Sequence, residues 1–291
     1  MKQLSIISGK GGTGKTSLAA SFAALASKGG GGSAISVDCD VDASNLHLLL
    51  GGKTVLEEPY FGPKVAVAPD ESLPLDEECR ASCVFGAISE LEIRPFLCVG
   101  CGACLLACPG AGITMEERRT GTLYRSDSEY GVLIHARLFP GNPGFGGMIT
   151  QLRKRAEELA LGREGSVILI DGSPGIGCQV IASLAGADLA LIVTEPSRSG
   201  LHDAGRVLSL LQHFGIKAIA CVNRHDINPQ YCRDIERECA ERGIPVAGRI
   251  PYDPLFTEAV TAGTPIVTRG KSDAAAAIEL TFNNVMEKLR D

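Results

Sequence analysis

The sequence has no run of about 18 apolar residues of the kind that crosses a bilayer, and no apolar stretch at its start. Met1-Lys2-Gln3-Leu4-Ser5-Ile6-Ile7-Ser8 leads straight into a glycine-rich loop, too soon for a secretory leader. An excess of positive charge is missing as well: 28 Lys and Arg stand against 34 Asp and Glu, a net charge of −6. General binding to a nucleic-acid backbone requires clustered Lys and Arg, so that class is set aside. The 291 residues are 45% hydrophobic, enough to bury one large domain or two modest ones. A soluble cytoplasmic protein is expected, with no nucleic-acid partner and no stable membrane anchor.

Cysteine, by contrast, is abundant. Thiols stay reduced in the cytoplasm, so a cysteine cluster there points first to a metal site. Six of the eleven cysteines fall between Cys79 and Cys108.

Leu4–Ile7, Ala34–Val37, Val167–Ile170, Leu189–Val193 and Ala218–Val222 read as buried parallel strands. Apolar residues at three- and four-residue steps mark helices over Ser17–Ser27, Ile149–Leu161, Leu201–Phe214, Tyr231–Arg242 and Ala274–Leu289. This alternation predicts an α/β fold: a mostly parallel sheet with helices on both faces. The interval 70–115 breaks the alternation, being dense in Cys, Gly and Pro, and reads as an insertion into a domain made of 1–69 and 116–291. Gly29–Gly32 reads as a turn without chemistry.

Gly9-Lys10-Gly11-Gly12-Thr13-Gly14-Lys15-Thr16 satisfies G-x-x-x-x-G-K-[ST] between the first strand and the first helix, the context a phosphate-binding loop requires. Glycines let backbone N–H groups turn inward around phosphate oxygens, and the helix N-terminus adds its free donors. Gly11, Gly12, Thr13, Gly14, Lys15, Thr16 and Ser17 are the candidate phosphate contacts, with Lys15 on the β- and γ-phosphates of ATP and the Thr16 hydroxyl on Mg²⁺. Asp171 closes the strand Val167–Ile170, where it would hold a magnesium-bound water. Asp38, Asp40 and Asp42 follow the strand Ala34–Val37, and alternation along an extended chain would put all three on one side.

The second lysine of Lys10-Gly-Gly-Thr-Gly-Lys15-Thr16 resembles the MinD/ParA/Mrp group of ATPases with a deviant Walker motif. That resemblance implies a homodimer formed through ATP, in which Lys10 contacts the nucleotide of the partner subunit. It also implies that Asp40 positions the attacking water, that Asp38 supports the magnesium shell, and that Asn223 and the Pro251–Asp253 loop hold the adenine base.

Cys98-Val-Gly-Cys101-Gly-Ala-Cys104-Leu-Leu-Ala-Cys108-Pro109 is the bacterial ferredoxin pattern C-x₂-C-x₂-C-x₃-C-P, whose fourth cysteine serves the other cluster in two-cluster proteins. Cys79-Arg-Ala-Ser-Cys83 followed by Ile88 repeats Cys104-Leu-Leu-Ala-Cys108 followed by Ile113 at an offset of 25. Carried back by that offset, the first half has Leu73 and Asp76 where two cysteines would stand. One [4Fe–4S] cluster per chain is therefore expected, on Cys83, Cys98, Cys101 and Cys104. Cys79 and Cys108 are left as free or packed cysteines, with Asp76 a conceivable third ligand for an incomplete second cluster. Cys178, just past Asp171, is a candidate bridging or transient ligand in a dimer, or a small residue buried at a helix start. Cys39, Cys221, Cys232 and Cys239 have no ligand spacing.

The whole chain resembles MinD-superfamily ATPases carrying an inserted ferredoxin domain, relatives of the Mrp-type iron–sulfur carriers. The resemblance includes Tyr130–Leu138, Asp171–Cys178 and Thr194-Glu195-Pro196 leading to Gly200-Leu201-His202-Asp203. It implies a slow ATPase that assembles or delivers metal or iron–sulfur clusters to a client metalloprotein. An ATP-gated electron donor serving a redox partner, like the nitrogenase iron protein, is the alternative, and MinD/ParA-type spatial positioning the third.

Overall fold

Aliphatic runs that are apolar at every position become strands covered on both faces, and this is what the chain builds. The computed structural model describes residues 1–28, 34–68, 76–89, 92–142, 145–163 and 165–291. Gly29–Gly32 and Leu73 lie outside the described residues. In chain order the elements are β1 (Lys2–Ser8), α1 (Lys15–Lys28), β2 (Ile35–Asp38), α2 (Leu46–Leu50), β3 (Lys53–Phe61), β4 (Val65–Val67), α3 (Glu77–Ala81) and α4 (Ala103–Ala107). Then come β5 (Thr114–Glu116), β6 (Arg119–Ser128), β7 (Gly131–Leu138), α5 (Phe145–Ala160), β8 (Val167–Pro174), α6 (Cys178–Leu184), β9 (Leu189–Thr194) and α7 (Arg198–His213). Last are β10 (Ala218–Asn223), α8 (Pro229–Glu241), β11 (Val246–Ile250), α9 (Leu255–Thr261) and α10 (Asp273–Arg290).

A nine-stranded sheet runs β11-β10-β9-β1-β8-β2-β7-β6-β3. β1 lies parallel to β8 and β9, β10 to β9 and β11, and β2 to β8 and β7. The fold is the mostly parallel α/β sheet that the alternation predicts. Period-two alternation sorts its two faces. Leu4, Ile6, Leu191, Val193, Ile219 and Cys221 pack against Leu18 and Phe22 of α1 and Ile278, Val285 and Leu289 of α10. Their neighbours Ile7, Ala190, Ile192, Ala220 and Val222 pack against Val180, Leu184, Val207, Leu208 and Ile235 on the other face. β1 sits between β8 and β9, so the crossover direction reverses at its carboxyl end, where open α/β sheets bind ligands.

α10 carries an apolar stripe of Ile278, Phe282, Val285, Met286 and Leu289. Ile278 and Val285 are 0% exposed in the core, and each such side chain contributes roughly 1.5–3 kcal/mol by burial, so its apolar face is committed to the sheet. No helix among the described residues is long and apolar enough to cross a membrane.

The chain divides into two compact units: Met1–Glu57, Leu123–Ala136 and Ile149–Asp291 in the first, Glu58–Thr122 and Arg137–Met148 in the second. The second contains the 70–115 interval and extends beyond it at both ends, because β4 pairs antiparallel with β5 around the segment between them. Its buried cluster is small: Ala66, Cys79, Ile88, Cys104, Cys108 and Ile113. The repeat is visible there, since Ile88 and Ile113 are each 7% exposed and α3 and α4 carry the corresponding cysteines. Half of that cluster is cysteine, so the unit depends on sulfur chemistry in a way the large sheet does not.

Candidate functional site

β1 ends at Ser8, whose hydroxyl donates to the Lys10 carbonyl at 2.8 Å and opens the loop. The chain passes Gly12 at φ +80° and Gly14 at φ +94° before α1 starts at Lys15. Both angles favour glycine. At Gly14 space is closed too: a Cβ there would lie 2.4 Å from Asn223 Nδ2. That amide, at the carboxyl end of β10, donates to the Thr13 carbonyl at 2.8 Å and pins the loop from outside.

Lys15 is buried among carboxylates. Its ammonium lies 2.7 Å from Asp171 Oδ1 and 3.7 Å from Asp40 Oδ2. Burial alone would push the Lys15 pKa down, but Asp171, by charge and hydrogen bond, with Asp40 and Asp38 behind it, holds it above its ordinary value. Two buried polar atoms have no partner in this arrangement: Asp171 Oδ2 and Thr13 Oγ1. An orphaned oxygen on the carboxylate that holds Lys15 is a fitting neighbour for a hydrated cation, and an orphaned loop hydroxyl for a phosphate oxygen.

The three aspartates after β2 do not share a side. The strand stops at Asp38 and the chain turns at once, with the Ala43 N–H donating to the Asp40 carbonyl at 3.0 Å. Asp38, 0% exposed, accepts from the Asp40 N–H, the Ser44 hydroxyl and the Leu46 N–H, and so shapes the turn rather than reaching outward. Asp40 faces Lys15, and Asp42 accepts from Gln179 of α6 at 2.9 Å. Burial raises Asp40 above the usual carboxylate range, with Asp171 and Asp42 adding to it and Lys15 opposing.

Burial, reinforced by the charge of Asp171, raises Asp38 from 3.8 to about 7, against the opposing pull of the Leu46 N–H, the Ser44 hydroxyl and Lys15. An acid whose folded pKa is raised contributes stability that is complete below its unfolded value and lost as pH rises through the folded one. The urea midpoint of the unliganded protein, relative to Asp38→Asn, is expected to fall between about pH 4 and about pH 7. A difference that does not change with pH would contradict this.

Lys10 Nζ lies 2.5 Å from Glu195 Oε1 and donates to Ser199 Oγ at 3.0 Å. The other oxygen of Glu195 holds Arg224 at 3.1 Å, and Arg224 has a φ of +53°, rare for a side chain of its size. Arg224 also lines a pocket with Gly14, Ser17, Asn223, Tyr252, Asp253 and Phe256. The Tyr252 N–H donates to Asp226 at 2.7 Å and ties the loop after β10 to the Pro251–Asp253 loop. Pro251 is not among the lining residues; Tyr252 takes that place.

In the second unit, Cys83, Cys98, Cys101 and Cys104 all line one pocket with Phe85, Ile88, Ile93 and Val99. The Ala66 N–H donates to Cys98 Sγ at 3.4 Å and the Ala87 N–H to Cys83 Sγ at 3.3 Å. Cys101 is exposed and Cys104 buried; burial, with Cys98 and Cys101 alongside, pushes the Cys104 thiol up. Zinc with thiolates at about 2.3 Å would draw its sulfurs to roughly 3.8 Å of one another. Among the described residues, the group of three or more ligand atoms all within 4.8 Å is Asp76, Cys79 and Cys108. The four pocket cysteines are not part of that group. Cys79 and Cys108 are packed but not free: they form a disulfide with Cα atoms 5.6 Å apart.

The family model for the CobQ/CobB/MinD/ParA nucleotide binding domain matches residues 4–266. The chain belongs to this family. An uncharacterized protein of Methanocaldococcus jannaschii is 34% identical over 228 residues, 78% of this chain and 79% of the relative. An iron-sulfur cluster carrier protein of Pyrococcus furiosus is 25% identical over 160 residues, 50% of this chain and 54% of its own. Among solved structures, the septum site-determining protein MinD of Pyrococcus horikoshii, complexed with Mg-ADP, aligns with a TM-score of 0.62 at 21% identity, covering 98% of this chain and 95% of that one.

This MinD/ParA-family chain thus brings Lys15, Asp40 and Asp171 together at the loop, and Ser17, Asn223 and Asp253 at one pocket. Cys178 is exposed at the start of α6, not buried there. Cys39, Cys221, Cys232 and Cys239 are buried, and burial pushes each thiol up, Cys221 to about 12 and Cys239 to about 11, so they stay protonated. Glu195 and Arg224 are the residues that reading the sequence left without a role. Their partners come from distant loops, and no local pattern announces them.

Proposed function

We propose that this protein is an ATPase that dimerises through ATP and carries one [4Fe–4S] cluster as cargo for a client metalloprotein. The observation that supports it most is the convergence of Cys83, Cys98, Cys101 and Cys104 on one pocket in a chain whose phosphate loop is already shaped. Exposure of Cys101 gives an acceptor thiol a point of attack, which favours handing the cluster over rather than passing only its electron. We place the protein in the cytoplasm, where its nine free thiols stay reduced.

In the unliganded chain Lys15 rests on Asp171. When ATP enters, Lys15 turns from Asp171 to the β- and γ-phosphates, and Asp171 and Thr16 would hold Mg²⁺ and its waters. Mg²⁺, when bound, supplies charge neutralisation on the phosphates. Asp40, at the mouth of the loop, orients the attacking water. Lys10 leaves Glu195 for the nucleotide of the partner subunit. Asn223, Tyr252 and Asp253 receive the base.

Asp40→Asn tests this division of labour. Turnover is expected to fall by a factor on the order of 10²–10⁴ while ATP binding and ATP-dependent dimerisation persist. Hydrolysis within a few-fold of the parent chain would remove Asp40 from the mechanism.

A further inference from the structure

Asp76, Cys79 and Cys108 lie outside the four-cysteine pocket, yet their ligand atoms are all within 4.8 Å of one another. Cys79 is 1% exposed and Cys108 7%. Asp76 caps α3, its Oδ1 accepting from the Cys79 N–H at 2.8 Å, and is exposed, so it opens the cluster to solvent. Once the bond between the two sulfurs is reduced, two thiolates and a carboxylate at these positions make a three-ligand set with a fourth position left for water, the arrangement thiophilic divalent ions take. The same two sulfurs are joined in the structure.

We propose that these three residues form a second, thiol-gated cation site: as a dithiol it binds one thiophilic divalent ion, and as a disulfide it is closed. Closing forms one S–S bond. The two thiols lose two protons and two electrons, and a low-molecular-weight disulfide is reduced to two thiols in exchange. The gate sits where it is felt at the pocket. Cys79 lies one helical turn before Cys83, and Cys108, whose N–H donates to the Cys104 carbonyl at 2.9 Å, one turn after Cys104. A bond between Cys79 and Cys108 therefore fixes α3 to α4, and with them two of the four pocket cysteines.

The test uses the full chain, prepared anaerobically as the dithiol or after oxidation with oxidised glutathione, and titrated with Co²⁺. Alkylation under denaturing conditions counts the thiols: eleven in the reduced chain, nine after oxidation. The reduced chain is expected to take up one more equivalent of Co²⁺ than the oxidised chain, with thiolate-to-cobalt absorption. A Cys79→Ser, Cys108→Ser double variant should match the oxidised chain in either condition. Asp76→Asn, which keeps the disulfide, should weaken the extra equivalent at least tenfold and provides the readout if the double variant does not fold. Equal cobalt uptake by both forms, eleven thiols after oxidation, or about eight irons per chain on cluster reconstitution would each overturn the proposal. The carrier reading is tested separately: four irons without the extra cobalt would sink the gate alone, and the extra cobalt without iron would sink the carrier alone.

Discussion

Lys15→Ala is expected to cost this chain both catalysis and stability. The ammonium is 6% exposed and sits against Asp171, itself 1% exposed, with Asp38 fully buried nearby. Breaking a buried pair leaves an uncompensated charge, which costs about 3–5 kcal/mol, far more than an exposed pair. The urea midpoint at neutral pH should drop accordingly and recover in part below about pH 7, where the buried Asp38 takes up a proton and the uncompensated charge falls. Turnover should fall by roughly 10²–10³, the scale for removing one preorganised charge from a transition state. Calorimetry with ATP and a steady-state phosphate assay read the two effects apart. A variant that unfolds at the same urea concentration as the parent would mean Asp171 does not depend on Lys15.

Cys83→Ala is expected to remove the cluster, and Cys108→Ala is not. Both residues lie in the same short unit, four residues from Cys79 and Cys104 respectively, and the cysteine pattern with its repeat already names Cys83 as the fourth ligand. In the structure Cys83 lines the pocket with Cys98, Cys101 and Cys104, while Cys108 is bonded to Cys79. Reconstituted iron should fall from about four per chain to below about one in Cys83→Ala, and stay near four in Cys108→Ala. The latter loses the disulfide instead, worth roughly 2–4 kcal/mol, so it should melt earlier once assayed without reductant. The opposite pattern of iron would reassign the fourth ligand to Cys108.

Most of the large sheet could be read from the sequence because its strands are buried on both faces and spell their positions in unbroken apolar runs. β1, β2, β8, β9 and β10 all have this character, and the helices that cover them carry clear three- and four-residue spacing. β3, β6 and β7 did not announce themselves. Arg119-Thr-Gly-Thr-Leu-Tyr-Arg-Ser-Asp-Ser128 is largely polar, and a strand of that composition is fixed by its neighbours rather than by its own residues. The phosphate loop was legible because its glycines answer to backbone angles, as Gly12 and Gly14 do. The aspartates after β2 were misplaced because alternation was carried past the strand end, into a turn that Asp38 itself organises. The Cys79–Cys108 bond was illegible for a different reason: spacing identifies candidate ligands, but pairing is decided in three dimensions. Glu195 was missed likewise, since its partners Lys10 and Arg224 reach it from separate loops.

The central claim is that ATP acts on a cluster held by Cys83, Cys98, Cys101 and Cys104. The most direct test is to load the protein anaerobically, quantify iron and sulfide, and add an apo-ferredoxin acceptor with and without ATP. About four irons and four sulfides per chain, moving to the acceptor faster with ATP than without it, is the expected result. A loaded chain that keeps its cluster while nucleotide shifts only its redox behaviour, or a chain that takes up no iron, would contradict the account.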